Sequence, residues 1–473
     1  MKLTYQVNDK PKFGQVLIFA LQQLLAILAA TIAVPAIIGN DMSPSAALFG
    51  AGVGTLIYLL FTRFKSPVFL GSSFAFLGSM FAAFAGGVSM SLGYLGLVLG
   101  AAFAGLVYVV LAIIVKFAGV DWINKLMPAV VIGPTVAIIG LSLAGNAVGD
   151  LFKGKVGYLD EEGNFISTAN IYVCLVCGLI TLFVTMICSV YGKKMMKMIP
   201  FIIGIVAGYA IAAIFTIVGL SQGEVDFQII DFTAFTNMQW VPDFTFIKAF
   251  FGGAYNYGEV GSMGAYIVKI FMAYVPVAFV VFAEHIADHK NLSTIIEKDL
   301  LKEPGLHNTL LGDGVGSMVG AFFGGCPNTT YGESIGCVAI SGNASVITIF
   351  VTAIMAIVAS FVAPFVTFLA TIPNCVMGGV CVALYGFIAV SGLKMIQKSD
   401  LEDNRNLFTV SVILIAGIGG LSLTFGDITI TTIATALILG IITNTVLAGS
   451  EANDAKQADS ETKQIEMKKN GKK

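Results

Sequence analysis

The chain has 473 residues, of which 57% are hydrophobic and only 11% charged, and its mean hydropathy is +0.89. A domain with a solvated surface cannot be so apolar, so the composition excludes soluble proteins and indicates a polytopic membrane protein. The formal net charge is −2, and the basic residues are spread over many short segments without forming a patch. This distribution argues against nucleic acid as a partner.

The cysteines and the N-terminus add two negative predictions. Seven cysteines lie singly in apolar stretches, and Cys174 and Cys177 have no second such pair or histidine pair nearby, so we predict no metal and no cofactor. Lys2, Asp9 and Lys10 precede the first apolar run, and no small-residue cleavage site follows a short apolar core. We therefore expect no cleaved signal peptide.

Twelve apolar stretches are long enough to cross a bilayer, for which about 20 residues suffice. They are residues 15–38, 44–62, 93–115, 128–148, 169–190, 199–219, 266–288, 306–324, 345–371, 375–392, 406–424 and 428–448. Two further segments, 67–84 and 326–341, are short and broken, and each indicates an extended start followed by a half helix. The predicted fold is an all-α polytopic membrane protein with 14 transmembrane segments, two of them discontinuous helices that begin with a short β-like strand.

The charges of the connecting loops test this count. With a cytoplasmic N-terminus, the inside loops hold Arg63, Lys65, Lys116, Lys125, Lys193, Lys194, Lys197, Lys290, Lys298, Lys302, Lys394, Lys398 and Arg405, whereas the outside loops hold Lys153, Lys155 and Lys248. Such an asymmetry follows the positive-inside rule and predicts that both termini are cytoplasmic. Removal of one broken segment would invert every later loop.

The sequence contains an internal repeat. The glycine-rich stretch 48–55 (LFGAGVGT) recurs as 310–317 (LLGDGVGS), and 72–75 (SSFA) is echoed by 329–332 (TTYG). Two halves of seven segments each must enter the membrane from opposite sides, which predicts a 7+7 inverted repeat whose half helices present their N-terminal amides to a substrate. For the motifs around Gly50 and Gly312 we predict close helix packing as the main role.

This organisation sets the predicted boundaries. We expect a cytoplasmic N-terminal tail at 1–13, the first repeat at 14–220, an extracellular loop at 221–265, the second repeat at 266–448 and a charged cytoplasmic C-terminal tail at 449–473.

Two acidic residues are predicted at membrane depth. Glu333 follows the broken stretch 327–332, and Glu284 ends a run of about eighteen residues in which Lys269 is the other charge. A charge in the bilayer needs a partner, a cavity or a proton, which marks both acids as functional candidates.

The residues that follow Glu284 have two interpretations. Asp288 shares a helix face with Glu284, so it is either a proton relay or part of a solvated cytoplasmic helix end. For His289 and Lys290 we favour the solvated end. His285 points about 100° away from Glu284 and is predicted to be a packing histidine with satisfied hydrogen bonds.

These motifs resemble the nucleobase/ascorbate transporter family, in its bacterial uracil permease branch. The resemblance is carried by 70–76 (LGSSFAF), 284–288 (EHIAD), 304–307 (PGLH), 311–314 (LGDG) and 327–336 (PNTTYGESIG), and it extends through nearly the whole chain. It implies a core domain of spans 1–4 and 8–11 and a gate domain of spans 5–7 and 12–14, with a nucleobase held between them.

The resemblance also implies a set of substrate-binding residues. They are Glu284 and Glu333 as carboxylates that hydrogen-bond the base, Phe74, Tyr331 and Gly332 as positions whose backbone lines the site, Ala30 as the wall from the first span, and Tyr385 as the gate-side contact. Proton coupling is assigned to Glu284 and Asp288.

The chain departs from the family pattern at several positions. The signature usually has Asn after its first acidic or amide residue, and Ser334 stands there; its end reads Ser341-Gly342 in place of Thr and a basic residue or Gly. The histidine usual one turn after the core glutamate is Asp288, and the usual first-span histidine is Gln23. These changes bear on which base is carried and on the route of the proton.

The expected function is import of uracil with protons across the bacterial cytoplasmic membrane by alternating access, and the chain is not expected to be an enzyme. Uracil offers two N–H donors and two carbonyl acceptors, which suit carboxylates and half-helix amides. The alternative is a purine (xanthine or urate) or broad nucleobase permease. Sodium remains an alternative to protons, membrane lipid surrounds the chain, and the sequence leaves the choice between a monomer and a homodimer open.

Other classes fit less well. An anion transporter of related fold should not carry two acidic residues at a site poor in Lys and Arg. We find no nucleophile, metal cluster or phosphate loop that would support an enzyme, and repeated half helices suit alternating access better than an open channel.

Overall fold

The computed structural model describes residues 3–119, 122, 126–159, 165–193, 195–236, 238–397, 399–425 and 428–448. The predicted C-terminal tail (449–473) lies outside the described residues, as do Lys125, Lys194 and Lys398 of the predicted inside loops.

The chain is built almost entirely of apolar helices. In chain order they are α1 (Phe13–Ile38), α2 (Pro44–Phe61), α3 (Leu77–Phe84), α4 (Met90–Ala118), α5 (Ala129–Ser142), α6 (Ala144–Asp150), α7 (Ile171–Tyr191), α8 (Met195–Met198), α9 (Pro200–Gln222), α10 (Thr245–Phe251), α11 (Met263–Ile296), α12 (Leu306–Gly324), α13 (Gly332–Ser341), α14 (Val346–Ala359), α15 (Ala363–Thr371), α16 (Asn374–Ile396), α17 (Asn404–Ile418) and α18 (Thr432–Ala448). Within the described residues, eight helices are long and apolar enough to cross a membrane, counting α5 with α6 as one.

Polar side chains mark where several of these helices begin. Ser43 accepts a hydrogen bond from the N–H of Ala46, and Asn170 accepts one from that of Tyr172. Ser262 caps α11 in the same way through Ala265. Such side chains accept from backbone N–H groups that have no partner inside the helix, so these residues determine where each helix begins.

In the part of the chain that the structure describes, six short strands accompany the helices: β1 (Leu70–Ser72), β2 (Gly157–Leu159), β3 (Phe165–Ser167), β4 (Asn328–Thr330), β5 (Leu423–Phe425) and β6 (Ile428–Ile430). They pair as three antiparallel two-stranded sheets, β1 with β4, β2 with β3 and β5 with β6.

The two broken segments have the predicted form and meet each other. Strand β1 is followed by a 3-10 turn (Phe74–Phe76) and α3, and β4 is followed by α13. The register places Gly71 opposite Thr329, and the N–H of Ser73 bonds the carbonyl of Pro327 at 2.9 Å. Because the strands are antiparallel, the two half helices leave them in opposite directions, as inverted repeats require.

The glycine-rich repeats pack directly on each other through α2 and α12. A Cβ atom on Gly54 would lie 2.7 Å from the carbonyl oxygen of Gly316, and one on Gly50 would lie 2.3 Å from that of Gly320. A Cβ atom on Gly312 would lie 3.1 Å from side-chain atoms of Tyr58. A larger residue at Gly50 or Gly54 would collide with the facing backbone, and one at Gly312 would require Tyr58 to shift, so the structure agrees with the predicted packing role.

Two groups of helices pack mainly among themselves. The first group contains α1, α2, α4, α11, α12 and α14, and the second contains α5, α7, α9, α16 and α17. The β1–β4 pair belongs with the first group because it packs on α1, α2 and α12.

Three predicted spans differ from the structure. The stretch 345–371 is two helices, α14 and α15, bent by 83°. Proline is tolerated in the first turn of a helix but not in its interior, so Pro364 begins a new helix. The stretches 406–424 and 428–448 are shorter helices joined to the β5–β6 pair, where β-branched residues follow Gly419 and Gly420.

Part of the predicted N-terminal tail is bound to the loop between α13 and α14. The N–H of Thr4 donates to the carbonyl of Gly342 at 2.7 Å, and the N–H of Ala344 donates to that of Tyr5 at 2.9 Å. Val7 is buried beside these bonds. Residues 3–9 therefore form an ordered strap across the end of the half helix α13.

Candidate functional site

A small cavity of about 60 Å³ lies between the two groups of helices, at the crossing strands. Its lining consists of Ser73, Phe74, Ala75, Ile139, Glu284, Thr329, Thr330, Tyr331, Gly332, Glu333 and Ile388. The walls therefore come from the two broken segments, from α11, and from α5 and α16 of the second group.

Five of the seven predicted substrate-binding residues line this cavity: Phe74, Glu284, Tyr331, Gly332 and Glu333. Sequence reasoning missed Ile139 and Ile388, because an isoleucine in a long apolar run looks the same whether it faces lipid or a cavity.

The other two predicted residues, Ala30 and Tyr385, do not line the cavity. Ala30 is buried in α1. Tyr385 is buried in α16, and its ring packs edge-to-face on the ring of Phe74 with centroids 5.8 Å apart. Its hydroxyl has no oxygen or nitrogen partner in the described part of the chain and lies beside the thiol of Cys381. Tyr385 is thus placed behind a lining residue, with the Cys381 thiol as the neighbour of its hydroxyl.

The half helix α13 brings its first turn to the cavity. Gly332 and Glu333 are its first two residues, and the N–H groups of a first turn have no partner inside the helix. The Glu333 carboxyl group is half-buried and lies close to its own N–H. The cavity therefore faces both a carboxylate acceptor and backbone donors on one element.

Ser334 ties α13 to two other elements. Its hydroxyl oxygen accepts hydrogen bonds from the side-chain amide of Gln23 on α1 and from the N–H of Phe69, the latter at 3.0 Å. Tyr331 adds a bond from its hydroxyl to the carbonyl of Ser72 at 2.8 Å. Two departures from the family pattern, Gln23 and Ser334, thus bond each other and hold the half helix that carries Glu333.

Asp288 lies one turn beyond Glu284 and is linked to the cavity through Thr330. The Thr330 hydroxyl donates to Oδ2 of Asp288 at 2.7 Å, and Thr330 itself lines the cavity. Asp288 is only half-buried, but it is held by a site residue rather than left in solvent.

The structure corrects one of the predictions for the end of α11. His289 is not a solvated residue, since it is 1% exposed, and its ring bonds the carbonyl of His285 at 2.8 Å and the hydroxyl of Tyr58 at 2.7 Å. The helix continues to Ile296 and packs on its neighbours there, so His289 lies inside the protein. Lys290 is exposed, as predicted.

His285 is a satisfied buried histidine, as predicted, but one of its partners is an acid. Nδ1 lies 2.7 Å from Oδ2 of Asp313, and Nε2 lies 3.0 Å from the hydroxyl of Thr309. The sequence held a signal for Asp313, because it interrupts the small residues of the repeat where the first copy has Ala51.

A second cavity of about 1040 Å³ lies on the side of the predicted extracellular loop. It is lined by the C-terminal end of α1, by parts of the 231–243 segment and by α15, and Met377 of α16 forms part of its wall.

Among the described residues, no group of three or more His, Cys, Asp and Glu side chains is arranged to hold a metal ion.

Comparison with known proteins identifies the family. The model of the Permease family (Xan_ur_permease) matches residues 14–425. The chain is 40% identical over 452 residues to the uracil permease of Bacillus caldolyticus, covering 95% of each chain. It is 36% identical over 459 residues to the uracil permease of Bacillus subtilis (strain 168), covering 96% of this chain and 97% of that one. For the uracil permease of Escherichia coli (strain K12), the identity is 33% over 437 residues and 92% of each chain.

Solved structures share the fold at low sequence identity. The transmembrane domain of the cyanobacterial bicarbonate transporter BicA matches with a TM-score of 0.62 at 16% identity, covering 93% of this chain and 100% of that one. The structure of SLC26A9 matches with a TM-score of 0.61 at 10% identity, covering 92% and 64%. These likenesses show the fold, which is of the inverted-repeat class. The sequence matches show that the chain is a multi-pass membrane transporter rather than an enzyme, and that it belongs to the Permease family that contains the nucleobase/ascorbate transporters.

Proposed function

We propose that the protein imports uracil across the bacterial cytoplasmic membrane by alternating access, coupled to protons. The observation that carries this proposal is that Glu284 and Glu333 face one cavity beside the first-turn N–H groups of α13. The names of the curated relatives, uracil permeases at 33% to 40% identity, support the choice of base.

The chemistry of the cavity suits a small neutral base. Its lining, as far as the structure describes the chain, contains two carboxylates and no lysine or arginine. Carboxylates accept from the N–H groups of uracil, and the half-helix amides donate to its carbonyls. The titles of the structural neighbours name bicarbonate and anion transporters, but an anion would meet two acids here without a basic side chain to offset them.

The architecture proposed for transport has 14 transmembrane segments. The core domain would comprise α1, α2, β1 with α3, α4, α11, α12, β4 with α13, and α14. The gate domain would comprise α5 with α6, α7, α9, α16, α17 and α18. The separate packing of the two helix groups supports this division, and the loop charges support cytoplasmic termini on either side of repeats at 14–220 and 266–448.

In this arrangement the substrate meets both domains. The core would supply Phe74, Glu284, Tyr331, Gly332 and Glu333. Ala30, the predicted wall from the first span, is buried in α1 and would have to meet the base in another state of the transport cycle. The gate would close the cavity with Ile139 and Ile388 and place Tyr385 against Phe74. Movement of the gate past the core would open the cavity to one side at a time.

Proton coupling is proposed for Glu284 and Asp288. Both lie on one face of α11, and Thr330 joins Asp288 to the cavity wall that Glu284 also lines. A buried carboxyl that gains a proton on one side of the membrane and loses it on the other can link base binding to the proton gradient.

Uptake into vesicles tests the proposal. Purified protein in liposomes should concentrate labelled uracil when the outside is made acidic, and a proton ionophore should abolish the accumulation. Excess unlabelled xanthine should compete weakly, because Glu333 offers only an acceptor where an amide would offer both a donor and an acceptor. Accumulation driven by a sodium gradient but not by a proton gradient would show that sodium is the coupling ion. Equal competition by xanthine would indicate a broad nucleobase carrier.

A further inference from the structure

A second buried polar cluster lies on α11, on another face from Glu284 and Asp288. The rings of His285 and His289 stack with centroids 4.0 Å apart, and both residues are at most 1% exposed. Asp313 of α12 is equally buried and contacts His285. The proposed transport chemistry makes no use of these three ionisable groups.

The hydrogen-bond partners favour one placement of the hydrogens. The Thr309 hydroxyl lies 3.0 Å from the carbonyl of Leu306, and when it donates there, its oxygen accepts from Nε2 of His285. The carbonyl of His285 can only accept, so Nδ1 of His289 carries a hydrogen. Nε2 of His289 lies 2.7 Å from the Tyr58 hydroxyl, which in turn lies 2.7 Å from the Ser66 hydroxyl. When Ser66 donates to Tyr58, Tyr58 donates to Nε2, and His289 is satisfied as a neutral ring.

One hydrogen remains to be placed, between His285 and Asp313. Nδ1 of His285 and Oδ2 of Asp313 are 2.7 Å apart and require one hydrogen between them. With a hydrogen on Nε2 of His285, the pair has no net charge whichever of the two atoms holds the shared hydrogen, and a dry site between helices tolerates a neutral pair far better than an isolated ion. The other oxygen of Asp313, Oδ1, has no partner in the described part of the chain, so this single bond is the one that secures the carboxyl group.

We propose that His285 and Asp313 are positioning residues for the transport site. Their shared hydrogen joins α11 to α12 and fixes the rotation of α11 about its axis, and so the direction in which Glu284 and Asp288 face the cavity. Glu284 is the residue before His285, and Asp288 follows it by three, so a small rotation of α11 would displace both acids. The inference deepens the proposed function and rests on it for the binding measurement below.

Matched variants of the full chain test the pair. The set is Asp313→Asn, Asp313→Ala, His285→Ala and the double alanine variant, with Ser317→Ala as a control at another buried polar position of α12. Uracil affinity is measured by calorimetry, and thermal unfolding is measured without ligand.

The expected pattern follows from hydrogen-bond satisfaction. The amide of Asp313→Asn can donate to the bare Nδ1 of His285, so its affinity should stay within about twofold of the wild type, like the control. Asp313→Ala and His285→Ala each leave a buried polar group unpaired, and uracil should bind roughly tenfold more weakly. The double alanine variant leaves neither polar group behind, so its loss of uracil affinity should be smaller than the product of the losses in the two single variants.

Two results would overturn the inference. One is wild-type uracil affinity in Asp313→Ala. The other is a loss in Asp313→Asn as large as in Asp313→Ala while both remain folded, because the carboxyl group would then act by more than its position. If the wild-type protein does not bind uracil, the proposed function is wrong, and the pairing of His285 with Asp313 is then tested by the melting temperatures without ligand. Additive effects of the two alanine substitutions on the melting temperature would refute the pairing. Non-additive effects would support it.

Discussion

Glu284 and Glu333 face the same cavity but are held in different ways. Glu284 lies within the continuous helix α11, followed one turn later by Asp288. Glu333 lies in the first turn of the half helix α13. A helix N-terminus favours the charged carboxylate, so Glu333 is suited to accept from the base, whereas Glu284 is better placed to exchange a proton.

This difference predicts opposite phenotypes for the two glutamine variants. Glu284→Gln mimics the protonated acid, so it should still bind uracil but lose accumulation driven by a pH gradient. Glu333→Gln should chiefly lose binding or change selectivity, because its amide replaces an acceptor with a donor on one side. Equilibrium binding and pH-driven uptake of both variants distinguish the roles.

The exposed Glu297, at the end of the same helix α11, offers a matched control. Glu297→Gln should behave as the wild type in both assays. If Glu284→Gln still concentrates uracil in response to a pH gradient, the proton role assigned to Glu284 is wrong, and Asp288 becomes the candidate.

The Tyr385 hydroxyl predicts a modest effect on binding. It has no oxygen or nitrogen partner in the described structure and lies behind Phe74, so a base gains the hydroxyl as a partner when the Phe74 ring moves aside. Tyr385→Phe keeps the ring against Phe74, so folding should be unchanged while uracil affinity falls about fivefold, the equivalent of one neutral hydrogen bond of about 1 kcal/mol. Tyr209→Phe, which removes a hydroxyl bonded to Thr371 away from the cavity, should leave affinity unchanged. An unaltered affinity in Tyr385→Phe would make Tyr385 a packing residue.

At the scale of elements, the sequence predicted the unusual segments better than some ordinary ones. The strands and half helices at 67–84 and 326–341 were recognisable because proline, serine, threonine and glycine interrupt apolar runs, and such backbone needs a partner at membrane depth. The bend between α14 and α15 was missed, because 345–371 is continuously apolar and its length suggested one crossing. Hydropathy measures how apolar a stretch is, not which way its axis points.

The candidate site was predictable to the extent that its residues are polar or lie in broken backbone. Glu284, Glu333 and Tyr331 satisfy that condition. Ile139 and Ile388 do not, since their role depends on how two distant helices face each other. The wrong prediction for His289 has a similar cause, because a run of Asp, His and Lys resembles a solvated helix end until the partner Tyr58 is known.

At the scale of the whole molecule, the loop charges predict an orientation that labelling can test. All seven native cysteines are buried, so they should give little background. Thr236→Cys, in the predicted extracellular loop, should react with an impermeant maleimide on intact cells. Lys290→Cys, exposed near the end of α11, should react only after the cells are permeabilised. The reverse pattern would invert the proposed topology.

The pairing of β1 with β4 also constrains how the protein can be made. Strand β1 leaves the ribosome about 260 residues before its partner, which corresponds to roughly 13 to 50 s of synthesis. During that time its backbone groups lack the partners they have in the finished protein, and lipid cannot supply them. The first broken segment must therefore be sheltered by the insertion machinery or held at the membrane surface until the second half arrives. The site can form only as one of the last steps of biogenesis, so a chain truncated before β4 would be inserted without any binding activity.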